Sequence, residues 1–80
     1  MKIYDYQGKK NISGEWIREA RLTRRLTPAD FAARLQVAGI MIERDSISRI
    51  EIGTRFVADF ELMAMAKVLN VSVEWLLSEE

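Results

Sequence analysis

The sequence predicts an all-α fold of five short helices, with residues 1–11 as a short N-terminal arm or strand and residues 12–80 as one helical domain. Three observations carry this expectation. Apolar residues recur at helical spacing, most plainly Leu62, Met65, Ala66 and Leu69 at i, i+3, i+4 and i+7. Helix boundaries are punctuated in order, with Thr27 and Pro28 as a start and Gly39 and Gly53 as stops. A β-favouring cluster of Ile3, Tyr4 and Tyr6 stands at the N-terminus, ahead of a turn or loop at Gly8, Lys9 and Lys10.

The first helix starts after Ser13, whose hydroxyl can cap it, with Glu15 in the first turn and Arg24 and Arg25 near its C-terminus, where cations are favoured. Ile17 and Ala20 form its inner face. The second begins at Thr27 and Pro28 with Asp30 in its first turn, turns Phe31, Ala32 and Leu35 inward, and ends near Gly39. The third covers about Arg44 to Ile52, with Ile47 and Ile50 inward and either Glu43 or Asp45 able to cap it. Gly39 to Glu43 then form a five-residue connection, longer than the 3 to 4 residues usual for a tight helix pair. Its Ile40, Met41 and Ile42 are too apolar for a freely solvated loop, so they pack back under the third helix or meet a partner. The fourth helix carries the Leu62 stripe and closes at Asn70. Ser72 can cap the fifth, which has Val73, Leu76 and Leu77 inward.

Composition narrows the function classes. Eighty residues leave no room for a second domain, and at this size a fold buries roughly 63% of its unfolded surface, a small core with no large catalytic cleft. Without Cys or His the chain has no disulfide, thiolate nucleophile, imidazole base or zinc site of the usual ligands. No cofactor, metal or enzymatic activity is expected; Glu79 and Glu80 look like solvated tail charges. Apolar runs are short and the N-terminus lacks the basic-then-apolar order of a secretion signal, so the expectation is a cytoplasmic protein without a membrane partner. Twelve cations balance twelve anions, yet net charge runs from +4 over residues 1–26 through 0 over 27–56 to −4 over 57–80. Such polarity fits a nucleic-acid face and a face turned away from it, or chance clustering of surface charge.

Two short helices, the second holding Ile47, Ser48, Arg49, Ile50 and Glu51 and closed by Gly53, make a helix-turn-helix pattern. With the segments GEWIREAR, LTPADFAARL, ISRIEIGTR and AKVLNVSVEWLL in that order, the stretch from Gly14 to Leu77 resembles the lambda-repressor-like, Cro-type (XRE) helix-turn-helix family of DNA-binding regulators. The resemblance implies a five-helix lambda-repressor-like bundle, double-stranded DNA as partner, and a third helix that enters the major groove. It places Arg44, Asp45, Ser48 and Arg49 against base edges. An arginine can donate two hydrogen bonds to guanine O6 and N7, worth about 1–3 kcal/mol of discrimination, and Arg49 is the first choice for this role. Asp45 can accept from cytosine or cap its own helix. Ser46 and Ser48 can touch phosphate or base. Phosphate contacts are expected from Arg24, Arg25, Thr27, Ala29, Ser46 and Arg55, with the first-turn amides of Ala29 and Asp30 contributing. About four such contacts would give a slope of log K against log salt near −3.6 per half-site. The resemblance also implies that Arg21 pairs with Glu51, tying the reading helix to the bundle.

Three departures weaken the expected affinity. Pro28 stands where the family usually has a polar residue, often glutamine; Ile52 stands where asparagine is frequent; and Glu43 and Asp45 add negative charge beside the DNA. Arg24, Arg25, Arg44, Arg49 and Arg55 are expected on one side, with Glu74, Glu79 and Glu80 away from it. The implied assembly is a homodimer on half-sites about 34–36 Å apart, through either the arm or the last helix, where Trp75 and Leu77 need not both fit inside. Trp16 can pack under the arm. The leading reading is a sequence-specific transcriptional regulator, most simply a small repressor. Two alternatives stand: a helical protein-interaction module that has lost DNA binding, and the DNA-binding antitoxin of a toxin pair.

Overall fold

The computed structural model describes residues 5–79, so Ile3, Tyr4 and Glu80 lie outside the described residues. Five helices follow in order: α1 (Gly14–Thr23), α2 (Pro28–Val37), α3 (Arg44–Ile52), α4 (Asp59–Leu69) and α5 (Val73–Leu76). The fold is all-α. No strand forms among the described residues; the arm instead makes a tight turn in which Tyr6 and Lys9 exchange backbone hydrogen bonds of 2.7 and 3.0 Å. Gln7 and Gly8 occupy its centre at φ 53° and 83°, the left-handed pair that a type I′ turn requires.

Each of the first four helices ends by one device. A residue one or two places past the helix swings to positive φ, so that its amide and the next one bond back to carbonyls of the last turn. Gly39 and Gly53 do this for α2 and α3, while Asn70 and Arg25 do it for α4 and α1. Arg25, at φ 58°, adopts this conformation against the Cβ clash that normally reserves it for glycine. The starts are less uniform. Thr27 Oγ1 accepts from Asp30 N at 3.0 Å while the Asp30 carboxylate accepts from Thr27 N at 3.2 Å, a reciprocal capping box on α2. Ser72 Oγ accepts from Trp75 N and caps α5.

Two expected caps are absent. The Ser13 hydroxyl does not cap α1; Asn11 Oδ1 does so, accepting from Gly14 N at 2.7 Å, and Ser13 is buried with helical backbone angles. Neither Glu43 nor Asp45 caps α3, because Asp45 already lies inside the first turn and Glu43 makes no side-chain bond to it.

The core is one cluster to which every helix contributes. Ile17, Phe31, Leu35, Ile47, Ile50 and Met65 are fully buried, and the α4 stripe faces inward throughout. Fully burying each such side chain is worth about 1.5–3 kcal/mol. Of the apolar connection before α3, Ile42 is buried, Ile40 is half-buried against the core and Met41 is exposed. Leu77 is 40% exposed, against the expectation that it turns inward; α5 is a single turn, and Leu76 takes the inner position. Trp16 meets Trp75 edge-on at 4.8 Å and donates Nε1 to the Ser78 carbonyl, which fixes the short α5 to α1. Trp16 also lines, with Tyr6 and Gln7, the cavity beneath the arm.

Helix α1 approaches the end of α3 so closely that a Cβ on Gly14 would collide with the Ile50 carbonyl oxygen and crowd Asn11 Oδ1. Both obstacles belong to anchored groups. Gly14→Ala should therefore cost about 2–3 kcal/mol, a fall of roughly 10–20 °C in thermal midpoint. A calorimetric midpoint within a few degrees of the parent would contradict this packing.

Candidate nucleic-acid interface

The start of α2 and the first turns of α3 face a common groove. Thr27, Pro28 and Ala29 line one side and Arg44, Asp45 and Ser48 the other, around a cavity of about 440 Å³. The reason lies in the periodicity of α3. Ile47, Ile50 and Glu51 turn inward, so Asp45, Ser48, Arg49 and Ile52 are carried to the opposite face at i, i+3, i+4 and i+7. Arg44, Asp45, Ser48 and Arg49 are all exposed; Ser46 is half-buried at the edge. Ile52, 66% exposed, gives this face an apolar end.

Charge within the groove is mixed. Arg44 Nε lies 3.8 Å from Asp45 Oδ1, but both side chains are about three-quarters exposed, so the pair contributes at most about 1 kcal/mol and opens readily. On the α2 side, Thr27 Oγ1 and the Asp30 amide are already bonded to each other, which takes that amide out of the set available to an anion. Ala29 is exposed, and as a first-turn residue its N–H has no partner one turn back within the helix.

The remaining cations divide between structure and surface. Arg24 is exposed but donates Nε to the Leu69 carbonyl at 2.9 Å, which satisfies an acceptor at the C-terminal end of α4. Arg55 forks onto both Glu61 oxygens at 3.1 Å and donates to the Phe56 carbonyl at 2.8 Å. The expected single cationic side is thus reduced, because two of its five members are held by α4. Arg25 and Arg49 are exposed, and among the described residues no hydrogen bond or ion pair holds either guanidinium.

Behind the reading face lies the buried contact between Arg21 and Glu51. Arg21 Nε donates to Glu51 Oε2 at 2.7 Å, Nη2 to Oε1 at 2.9 Å, and Nη1 to the Leu26 carbonyl at 2.7 Å. Only 7% and 8% of the two residues remain exposed. Hydrogen bonding to Glu51 raises the already high guanidinium pKa in spite of burial, so the charge persists at any pH the fold survives. One arginine therefore joins α1, α3 and the turn into α2.

Asn11 carries no signal in a helical reading because it precedes the first helix. Its Nδ2 donates to the carbonyls of Ile50 and Arg55 at 3.0 and 2.8 Å, while its Oδ1 caps α1. The available clue was an Asn three residues before the first helical amide, a capping position.

Among the described residues, no helix is long and apolar enough to cross a membrane, and no group of His, Cys, Asp or Glu is arranged to hold a metal ion. A family model described as helix-turn-helix matches residues 17–76. No curated protein and no solved structure gives a significant match.

The geometry sets two expectations. Arg21→Ala or Glu51→Ala strands a buried charge and should cost about 3–5 kcal/mol, whereas Arg49→Ala should change stability by no more than about 0.5 kcal/mol. Denaturant unfolding of the three variants checks this order, and equal losses would contradict it. For Glu61, burial alone would raise the carboxyl, but hydrogen bonds from Arg55 and the Ala58 amide and the Arg55 charge hold it below its ordinary 4.5. A lowered carboxylate contributes stability that is complete above the unfolded value and lost as pH falls through the folded one. The stability advantage over Glu61→Gln should accordingly shrink on acidification from about pH 6 to about pH 3. A constant gap would show that the pair contributes nothing.

Proposed function

The chain belongs to the lambda-repressor and Cro-like helix-turn-helix family, a family of DNA-binding regulatory domains, and from that premise we propose that it is a sequence-specific transcriptional repressor that reads the major groove with α3. The observation that supports this most is the groove between the start of α2 and the first turns of α3. It is lined by Arg44, Asp45 and Ser48, and Arg49 is exposed on the same helix, whose inner face is locked by two isoleucines and a buried ion pair. A helix held this firmly can present Arg49 to a guanine edge with little loss of side-chain and backbone freedom.

In this reading Arg44, Asp45, Ser48 and Arg49 meet base edges. Arg25, Thr27, the Ala29 amide and Ser46 meet phosphates and set the register. Arg24 and Arg55 contribute chiefly by shaping the bundle, since protein acceptors hold them. Two copies on adjacent half-sites, about one DNA turn apart, would double the contact set, and repression follows from occupancy of the duplex. Neutral overall charge makes long-range attraction weak, so affinity rests on these local contacts.

Selection of bound duplexes from a random pool, followed by binding measurements over a range of salt, tests the proposal. The parent should enrich a defined sequence, and Arg49→Ala should lose preference at one base pair by about 1–3 kcal/mol. With Arg24 and Arg55 held by the protein, the salt slope per half-site should be shallower than about −3.6, and Arg25→Ala should flatten it by about 0.9 more. Failure to enrich any duplex at low salt would contradict the proposal and favour a protein-interaction module.

A further inference from the structure

Residues 9–11 hold the far end of α3, remote in sequence from the groove. The Lys10 amide donates to the Gly53 carbonyl at 2.8 Å, and the Lys9 stem lies so close over Gly53 that a Cβ there would meet its Cδ at 2.9 Å. Asn11 completes the hold with a carboxamide that uses both of its ends. The amide nitrogen bonds the Ile50 carbonyl in the last turn of α3 and the Arg55 carbonyl in the loop beyond, and the oxygen caps α1.

Helix α3 has nine residues and no side-chain cap at its start. Its last turn is tied to α1 through Arg21 and Glu51, whose side-chain torsions leave a short helix some freedom to tilt. Asn11 adds a second hold on that same turn, made to the Ile50 and Arg55 carbonyls rather than through a rotatable side chain of α3, and so restricts this tilt. Asn11 thus acts on the backbone, where the nature of the α3 side chains is irrelevant. Few other side chains can replace it: aspartate keeps the acceptor but has no donor, serine has one donor, and glutamine is a methylene longer. The anchor itself is stiff, because Gly14 lets the start of α1 seat directly against Ile50.

We propose that Asn11 is a positioning residue for DNA reading, which fixes the angle of α3 through the Ile50 and Arg55 carbonyls and so determines which base edges Ser48 and Arg49 reach. This rests on α3 being the reading helix. The consequence is specific: loosening the far end of α3 impairs discrimination between sequences, because base contacts need sub-ångström placement while phosphate contacts from α2 tolerate small shifts.

Asn11→Asp tests the proposal, since it keeps the cap on Gly14 N and removes both donors. Ser72→Ala, which removes the cap of the distant α5, serves as a control for general loss of stability. Dissociation constants are measured for the selected duplex and a shuffled one at a temperature where every variant is folded, alongside hydrogen exchange of the Gly53 and Thr54 amides. In Asn11→Asp the ratio of the two constants should fall about tenfold, mainly through the selected duplex, and both amides should exchange faster, while Ser72→Ala retains the parental ratio. If Asn11→Asp fails to fold, Asn11→Ser is read by the same ratio. An unchanged ratio, or equal weakening on both duplexes, overturns the positioning role alone. A parent that prefers no duplex overturns the reading of α3 and this role with it.

Discussion

The contact on which the structure depends is the one between Arg21 and Glu51. Two opposite charges taken from water into a small core cost several kcal/mol each to desolvate, and their attraction repays this only when geometry is good and the leftover donors are satisfied. Both conditions hold: the guanidinium meets both carboxylate oxygens, and its remaining nitrogen bonds the Leu26 carbonyl. Hydrophobic burial would hold α1 and α3 together at a range of angles, since Ile17, Ile47 and Ile50 are indifferent to small rotations. A forked, buried pair accepts few arrangements. The pair, together with the Asn11 bonds to the Ile50 and Arg55 carbonyls, thus turns a collapsed bundle into one in which the exposed side of α3 has a defined direction.

Around this contact the fold separates the duties of its arginines. Arg21, Arg24 and Arg55 each end on a protein acceptor in a different part of the bundle, and Arg25 and Arg49 remain on the surface. Zero net charge hides this division. In the proposed reading a neutral domain binds DNA through Arg44, which lines the groove, and through the exposed Arg25 and Arg49. The acidic residues near that groove, Glu43 and Asp45, sit at the start of α3, where the helix dipole favours negative charge.

Much of the fold was legible because its signals are local. Thr27 and Pro28 mark the start of α2 through a hydroxyl and a fixed φ, Gly39 and Gly53 mark ends that need positive φ, and the Leu62 stripe announces the buried side of α4. The outward face of α3 followed by subtraction once Ile47 and Ile50 were placed inside. What was not legible depends on partners far along the chain. Asn11 acts on carbonyls 39 and 44 residues away, and Arg24 on one 45 residues away, with no periodic pattern to betray either. Ser13 misled because any hydroxyl before a helix resembles a cap, while the true cap stood two residues earlier. Arg55 reads in sequence as a cation in a loop, and its bond to Glu61, six residues on in the first turn of α4, has no local pattern to announce it.

The most direct test of the central claim is a double-mutant cycle on stability with Arg21→Met, Glu51→Leu and the pair together. If the pair sets the relation of α1 to α3, each single change leaves a buried charge unmatched and the double variant loses less than the sum of the two, by about 3 kcal/mol, the upper end of the usual coupling range. Losses that add to within about 0.5 kcal/mol would mean that the two residues act independently and that packing alone orients α3.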